Sequence, residues 1–169
     1  TDDEREALCR ELAGRVRTAA GSLPVAVVSA DPGVRDWAAA TGCTVLDDPG
    51  SLDAAAECGM AWARTTGLAR VVIAHADLPA VTSFEAVLTD GSDPVAVVVP
   101  DHRDDGTPVL SLPASAPFGF AYGPGSAARH VAAAEACGLA VRILRDPDLG
   151  FDIDVDDDLV TLEQRRVPR

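Results

Sequence analysis

The stretch RVVIAHADLPA, residues 70–80, contains the strongest signal for the fold. Its apolar, β-branched part at 70–75 predicts a strand, the third along the chain and the most central of the sheet. Asp77 follows in a tight turn, because Pro79 disfavours a helical conformation for the residue before it. In α/β sheets, ligands bind beyond the carboxyl ends of the strands. The residues just after each strand are therefore the candidates for a functional site.

Predicted strands and helices alternate on both sides of this stretch. The other predicted strands are 25–29, of the kind that suits a buried parallel strand, 43–46, 94–99, 108–112 and 140–144. The predicted helices are 2–20, 32–42, 52–66, one from about 83, 127–137, and a last one that follows 151–154 and ends near 163. This alternation is typical of an α/β fold with a mainly parallel sheet. No repeat or linker divides the chain, so we expect a single domain over 1–169.

The composition limits the partners of the chain. It has 14 basic residues, all of them Arg, and 27 acidic ones, for a net charge of −13. This charge argues against nucleic acid and anionic membranes as partners. A small anionic ligand remains compatible with it if cations bridge the repulsion. The composition also leaves open whether the chain forms a homo-oligomer.

The sequence also predicts the compartment. No apolar run is long enough to span a bilayer, and no secretory segment opens the chain, so we expect a cytoplasmic location. The four cysteines form no CxxC pair, which favours small buried thiols in a reducing cytosol over a zinc site or disulfides. They are Cys9, Cys43, Cys58 and Cys137.

Acidic residues at two places are candidate metal ligands. Asp77 is either a metal ligand that faces a triphosphate or an Asp that caps its own loop. In FDIDVDDDL (151–159), an extended segment would place Asp152 and Asp154 on one face, roughly 7 Å apart, with Phe151 toward the core. Two such carboxylates can bind one Mg²⁺ or flank two. The acidic run at 156–158 suits the start of the last helix, where it complements the helix dipole.

An EF-hand is the alternative interpretation of the same acidic stretch. Asp152, Asp154, Asp156 and Glu163 fall on positions of that calcium loop that carry ligands. Asp157, however, stands where the loop needs glycine for its sharp turn, and 145–150 does not supply the incoming helix. We therefore favour the metal site of a different fold.

Two further stretches are candidates for binding an anion. In YGPGSAARH (122–130), Ser126 is predicted to cap a helix whose free N–H groups, with Arg129 and His130 one turn in, bind the anion. The alternative is a well-capped helix that binds nothing, with His130 on its surface. In HRDDGTPVL (102–110), the backbone N–H groups of Gly106 and Thr107 can approach a ligand, and Arg103 can pair with a phosphate. An ordinary loop would have the same sequence.

Five stretches, taken in order, carry a resemblance to a known family. They are SLDAAAECGMAWA (51–63), VVIAHADLPAVT (71–82), DDGTPVL (104–110), YGPGSAARH (122–130) and FDIDVDDDL (151–159). In order and spacing they resemble the phospholactate and phosphoenolpyruvate guanylyltransferases of coenzyme F420 biosynthesis. The resemblance implies a three-layer, Rossmann-like nucleotidyltransferase fold, related to that of nucleotide-sugar pyrophosphorylases. It also implies transfer of GMP from GTP to phosphoenolpyruvate or 2-phospho-L-lactate, with release of pyrophosphate and with Mg²⁺ as the metal.

The same resemblance implies which residues form the site. The catalytic, metal-binding positions of the family match Asp77, Asp152 and Asp154, and the positions that contact the acid match Thr107, Gly123 and Ser126. The expected partners are GTP and a small phosphorylated acid. The Lys-free composition, rich in Arg and Ala, resembles that of actinobacterial members, which are thought to use phosphoenolpyruvate.

Three departures from the family pattern leave alternatives open. The family's first strand and its basic triphosphate loop should precede Asp2, so we expect this N-terminal strand to be missing from these residues. Asp53 stands where the family has Asn, and its carboxylate is a candidate acceptor for the N1–H and N2–H₂ edge of guanine. The substrate loop is DDGTP (104–108) in place of a GTG or GTN pattern, and Pro108 removes an N–H donor. The alternatives are a nucleotidyltransferase for another phospho-acid, and a non-catalytic nucleotide-binding or regulatory homologue without the triphosphate loop.

Overall fold

The computed structural model describes residues 2–90 and 93–152 of the chain. Within them, the helices are α1 (Asp2–Ala19), α2 (Pro32–Ala40), α3 (Leu52–Thr65) and α4 (Ser126–Ala136). The strands are β1 (Ala26–Val28), β2 (Thr44–Leu46), β3 (Arg70–Ala74), β4 (Val95–Val99), β5 (Val109–Pro113) and β6 (Ala140–Ile143). The predicted last helix, the proposed caps at 156–158 and the EF-hand alternative involve residues beyond 152, outside the described part.

The main sheet in the described part has four strands in the order β3-β5-β4-β6. β5 is antiparallel to both of its neighbours, and β6 is parallel to β4. β3, β4 and β6 therefore run in one direction and β5 in the other. β1 and β2 form a separate parallel pair. The prediction of an α/β fold with mainly parallel strands is confirmed.

Two details of the predicted sheet are wrong. β3 is not central, because β5 returns beside it and takes an interior position between β3 and β4. All five residues of β5 are buried, whereas β3 begins with the half-buried Arg70. The strand at 25–29 is parallel as predicted but only half-buried, since it pairs with the short β2 outside the four-stranded sheet.

The helix predicted from about residue 83 is a single 3₁₀ turn, Glu85–Val87. Phe84 and Val87, three residues apart, are both buried in the cluster that covers one face of the sheet. A spacing of three suits the 3₁₀ helix, in which residues i and i+3 lie one above the other. The segment ends there because Leu88 is already extended and Pro94 follows shortly.

Side chains of the sheet pack on both of its faces. Along β4, Ala96 and Val98 belong to one apolar cluster, and Val97 and Val99 belong to another. The first cluster includes residues of α3 and α4, and the second includes the 3₁₀ turn and receives the end of α1. The alternation of side chains along a strand explains this division. The sheet is thus covered by helical segments on both sides.

The structure also bears on the predictions about membrane-spanning segments and cysteines. No helix of the described residues combines the length and the apolar character needed to cross a membrane. All four cysteines are free thiols, but only Cys43 is buried, and Cys9 is exposed. The expectation of buried thiols therefore holds for Cys43 and is wrong for Cys9, which lies at an exposed position of α1.

Candidate active site

The carboxyl ends of β3, β4 and β6 lie at one edge of the four-stranded sheet, which we call the carboxyl edge. β5 begins at this edge because it runs in the opposite direction. The backbone N–H of His75, just after β3, donates to the carbonyl oxygen of Pro108, just before β5, at 2.9 Å. The segments that follow β3 and β4 and the one that precedes β5 therefore meet. Such edges are where α/β proteins bind ligands.

The loop after β4 is held by the carboxylate of Asp101, which is 7% exposed. Its Oδ1 accepts the backbone N–H groups of Arg103 and Asp105, each at 2.9 Å, and its Oδ2 accepts that of Gly106 at 2.8 Å. A Cβ on Gly106 would lie 2.8 Å from the same Oδ2, so this close approach requires glycine. The expectation that the Gly106 N–H faces a ligand is wrong, because Asp101 accepts that hydrogen bond.

We expect Asp101→Asn to destabilise the fold near neutral pH and to matter less in acid. Burial raises the pKa of the Asp101 carboxyl, but the three N–H donors and His102 lower it by more, to below its ordinary value of 3.8. The stability that this group contributes is present above the unfolded pKa and is lost as the pH falls through the folded value. The loss in the variant should be about 1–3 kcal/mol of unfolding free energy at neutral pH.

Urea unfolding near pH 7 and near pH 3 measures this difference between Asp101→Asn and the wild type. The control is Asp36→Asn, at an exposed position of α2. A loss of equal size at both pH values would contradict the assignment of the effect to the charged carboxylate.

Three buried polar side chains form a hydrogen-bonded chain behind the carboxyl edge. The hydroxyls of Thr107 and Ser126 are 3.1 Å apart, and Nδ1 of His130 is 3.0 Å from Oγ1 of Thr107. The backbone N–H of Ala121 donates to Nε2 of His130 at 3.0 Å. His130 is 0% exposed, so its assignment to the helix surface is wrong. Ser126, His130 and Ala134 follow at intervals of four and share the buried face of α4.

The start of α4 also differs from the prediction. The N-cap is Gly125, in the left-handed conformation at φ 73°, and Ser126 is the first helical residue, with its hydroxyl toward Thr107. Asp105 accepts two backbone N–H groups, each at 3.0 Å. Its Oδ1 accepts the N–H of Gly125, and its backbone carbonyl oxygen accepts the N–H of Ala127. The predicted anion site of free backbone N–H groups is therefore wrong for these two groups, because Asp105 accepts both.

Arg129 shapes the turn that leads into α4. Its guanidinium donates to the carbonyl oxygens of four consecutive residues of that turn, namely Ala121, Tyr122, Gly123 and Pro124. Gly123 has φ 100°, a backbone conformation that side chains with a Cβ rarely adopt. The cation predicted to attract an anion thus holds the Gly-Pro-Gly turn in place.

Asp53, in the first turn of α3, lies beside the same turn. Its Oδ1 accepts the backbone N–H of Tyr122 at 2.6 Å. Burial, and then the charge of Asp53, raises the pKa of the Tyr122 hydroxyl. The Tyr122 ring contacts the rings of His130 and His75, at centroid distances of 4.8 and 5.6 Å. Asp53 therefore connects the start of α3 to the carboxyl edge. The recognition of guanine by Asp53 stays a prediction.

Of the candidate metal ligands, Asp77 lies shortly after the end of β3, as predicted, and Asp152 lies in the segment after β6. Asp77 comes directly before Leu78, which is fully buried. Asp152 is 3% exposed, and its Oδ1 is 3.9 Å from Nδ1 of His102, in the loop after β4. Asp154 lies outside the described residues. Within 2–90 and 93–152 no group of three His, Cys, Asp or Glu side chains is spaced to hold a metal ion. The site formed by all three aspartates stays a prediction.

We expect the fold to lose stability in acid, because the buried His130 disfavours a proton that the unfolded chain takes up. Burial lowers the pKa of His130 from 6.5 to about 4, with Asp53 opposing the shift and Arg129 and His75 adding to it. Between these values the unfolded chain takes up a proton that the folded chain does not, so stability falls as the pH falls. The contribution is about 2–3 kcal/mol over this range. Chemical unfolding of the wild type and His130→Asn from about pH 7 to 4 measures it, and identical slopes would contradict it.

A family model described as guanylyl transferase CofC like matches residues 1–163 of the chain. The chain belongs to this family. The match spans α1 to the acidic stretch at 151–159, and so includes every candidate site residue named above. The resemblance noted from the five short stretches is thereby confirmed.

Individual members of the family are similar over most of the chain. A phosphoenolpyruvate guanylyltransferase of Rubrobacter xylanophilus is 37% identical over 148 residues, which are 85% of this chain and 72% of the relative. One of Conexibacter woesei is 34% identical over 165 residues, 94% of this chain and 74% of the relative. A 3-phospho-D-glycerate guanylyltransferase of Phenylobacterium zucineum is 32% identical over 163 residues, 94% of this chain and 72% of the relative.

Proposed function

We propose that the chain transfers the guanylyl group of GTP to the phosphate of phosphoenolpyruvate and releases pyrophosphate, as a step in coenzyme F420 biosynthesis. The observation that carries this proposal is a connection along the carboxyl edge between Asp77 and Asp152, two of the candidate metal ligands, that passes through the candidate acid site. It consists of two hydrogen bonds, one close approach of a ring to a carboxylate, and short stretches of chain between them. In order, it passes through Asp152, His102, Asp101, Gly106, Thr107, Pro108, His75 and Asp77. Membership of a guanylyl transferase family supports guanylyl transfer as the chemistry, and its location at that edge is part of the proposal.

The finer fold belongs to the same proposal. We infer a Rossmann-like nucleotidyltransferase arrangement, in which the nucleotide and the acid meet at the carboxyl edge. The sheet with mainly parallel strands, covered on both faces, supports this arrangement. The amino ends of α3 and α4 reach the edge through Asp53 and Ser126, as a site between two substrates requires.

The reaction needs positioning and charge neutralisation more than a base. An oxygen of the acid's phosphate attacks the α-phosphorus of GTP, and the bond from that phosphorus to the bridging oxygen of the β-phosphate breaks. The electron pair leaves with pyrophosphate. Because the attacking group is already an anion, no side chain has to remove a proton from it. The protein must instead bring two anions together on a chain of net charge −13.

The residues divide this work between them. Thr107, Ser126 and the turn at Gly123 would hold the acid, with hydroxyl groups directed at its oxygens. Asp77, Asp152 and Asp154 would hold Mg²⁺, since carboxylate oxygens are the ligands that this hard cation prefers. When bound, Mg²⁺ supplies the positive charge that offsets repulsion between the substrates and on the leaving pyrophosphate.

A specific observation supports a second acid as the substrate that receives the guanylyl group. One relative of similar coverage is named for 3-phospho-D-glycerate. The loop at 104–108 also departs from the family pattern, since Pro108 offers no N–H and Asp105 directs its oxygens to the start of α4. 3-Phosphoglycerate and 2-phospho-L-lactate are therefore the alternative acids to compare with phosphoenolpyruvate.

Pyrophosphate release by the protein with Mg²⁺ tests the proposal. GTP and ATP are each paired with phosphoenolpyruvate, 2-phospho-L-lactate and 3-phosphoglycerate. We expect release with GTP and phosphoenolpyruvate, and release with ATP lower by about tenfold or more if guanine is read by hydrogen bonds. Release that does not depend on any phospho-acid would indicate a hydrolase. No release with any pair would favour the non-catalytic homologue.

A further inference from the structure

We infer that His130, by donating to Thr107, leaves the Thr107–Ser126 pair with one free hydroxyl proton, which the pair donates to an anionic ligand. The inference rests on the proposed function, because the ligand it assigns to the pair is the phosphate or carboxylate of the acid substrate. His130 itself does not touch that ligand. It is a positioning residue that acts through Thr107.

The first step is the tautomer of His130. The backbone N–H of Ala121 points at Nε2 with a separation of 3.0 Å. A backbone N–H can only donate, so Nε2 must accept and carries no proton. The neutral ring then has its proton on Nδ1, which lies 3.0 Å from Oγ1 of Thr107. His130 therefore donates to Thr107.

The second step is a count of protons in the chain of three side chains. His130 Nδ1, the Thr107 hydroxyl and the Ser126 hydroxyl each supply one proton, and two hydrogen bonds join them. One hydroxyl proton is left over and must find an acceptor outside the chain. With the opposite tautomer, both hydroxyl protons would be used inside the chain, and the pair would present only lone pairs. The observed tautomer makes the pair a donor.

The remaining hydroxyl proton of the Thr107–Ser126 pair is buried and therefore needs an acceptor. Thr107 and Ser126 are each 1% exposed, and buried hydroxyls are nearly always hydrogen-bonded. Within the described residues, the two hydroxyls bond only to each other and, in the case of Thr107, to His130. The nearby N–H groups of Gly125 and Ala127 already donate to Asp105. The hydroxyl proton is therefore what this turn has to offer an anion.

An uncharged donor suits the ligand. A hydrogen bond to a charged acceptor is stronger than one between neutral groups, so a single oriented hydroxyl contributes substantially to binding an anion. The guanidinium of Arg129, in the first turn of α4, donates to the carbonyl oxygens of the turn. The pair thus recognises the acid as a hydrogen-bond donor, and the tautomer of His130 is what makes it a donor.

Two variants of His130 separate this role from a structural one. His130→Asn can place an amide N–H near the position of Nδ1 and so keeps a donor to Thr107. His130→Gln can place an amide oxygen near the position of Nε2, which keeps the acceptor for Ala121 but not the donor. The control is Glu135→Gln, at an exposed position of α4. Thermal unfolding of each variant checks that it is folded at the assay temperature.

The measurements are the dissociation constant of phosphoenolpyruvate by calorimetry and the KM values for phosphoenolpyruvate and GTP. In His130→Gln, binding of phosphoenolpyruvate should weaken by about 10- to 100-fold, the loss expected for a hydrogen bond to a charged group. The KM for GTP should stay within about twofold, because in the proposed site the pair holds the acid and not the nucleotide. His130→Asn should recover most of the binding, and Glu135→Gln should match the wild type.

Several results would overturn the inference while leaving the proposed function intact. These are unchanged phosphoenolpyruvate binding in His130→Gln, or equal weakening in folded Gln and Asn variants, or a parallel rise in the KM of GTP. If His130→Gln is unfolded, His130→Leu, which matches Asn in shape, takes its place with the same expectations. If the wild type neither binds any of the three phospho-acids nor releases pyrophosphate, the proposed function fails and this inference fails with it.

Discussion

We expect Asp77→Asn to abolish guanylyl transfer while the chain keeps its fold. Asp77 follows β3 at the carboxyl edge, and its position is fixed by the buried Leu78 and Pro79 that come next. Arg15 of α1 donates to the carbonyl oxygen of Pro79 at 3.1 Å, which ties this segment to the helix. Asparagine matches aspartate in shape, so these contacts persist, but the negative charge that would hold the metal ion is gone.

The expected effect is large because the reaction joins two anions. Without the cation, repulsion between the acid's phosphate and GTP, and charge on the leaving pyrophosphate, are no longer offset. Loss of one metal ligand should lower kcat/KM by about 10³-fold or more, comparable with removal of a group that stabilises transition-state charge. Asp152→Asn should have an effect of the same order, because both carboxylates would hold the same cation.

Asp36→Asn is the matched control for these two variants, because it makes the same change at an exposed position of α2, outside the candidate site. Steady-state kinetics with GTP and phosphoenolpyruvate should show an effect within about threefold for this surface position. Near-normal activity of Asp77→Asn and Asp152→Asn would remove the proposed metal site.

Gly150→Ala should damage both stability and activity. A Cβ on Gly150 would lie 2.6 Å from the carbonyl oxygen of Pro100 and 2.9 Å from that of Asp146. Both are backbone atoms, so no side-chain rotation relieves the clash. Leu149 and Phe151 on either side are 2% and 1% exposed, so the segment has no room to move outward. The strain therefore has to displace the backbone that leads to Asp152.

The free energy of unfolding should fall by about 1–3 kcal/mol, the usual cost of overpacking a well-packed site. Enzyme activity should fall by more than the loss of stability accounts for, because the candidate metal ligand Asp152 is two residues from Gly150. Gly119→Ala is the control, because a Cβ there meets nothing within 4 Å. Urea unfolding and kcat measured on both variants test this. Equal, small effects in both would show that the 146–152 segment does not depend on its close approach to Pro100.

The regular elements were largely predictable because local signals were strong. Ser51 caps α3 and Gly67 follows it in the left-handed conformation at φ 75°, so both ends of that helix were visible in the sequence. The position of β5 between β3 and β4 was not visible, because strand order depends on contacts between distant residues. The sequence around Phe84 did not distinguish a 3₁₀ turn from a longer helix, because a spacing of three between buried residues occurs in both.

The candidate site was predictable in its residues but only partly in their roles. The motifs identified Thr107 and Ser126, which the structure joins by a hydrogen bond. His130 was misplaced because a histidine in an Ala-rich helix gives no sign of which face is buried until its partners are known. The roles of Asp101 and Asp105 were missed, although an Asp just after a strand and before a Gly-containing loop commonly accepts backbone N–H groups.

The most direct test of the central claim is ³¹P NMR of the wild-type protein with GTP, phosphoenolpyruvate and Mg²⁺. We expect two new, mutually coupled resonances of a diphosphate that links the guanylyl group to the acid, growing in step with pyrophosphate. Pyrophosphate that accumulates together with GMP, without the coupled pair, would contradict the claim that the acid's phosphate attacks the nucleotide.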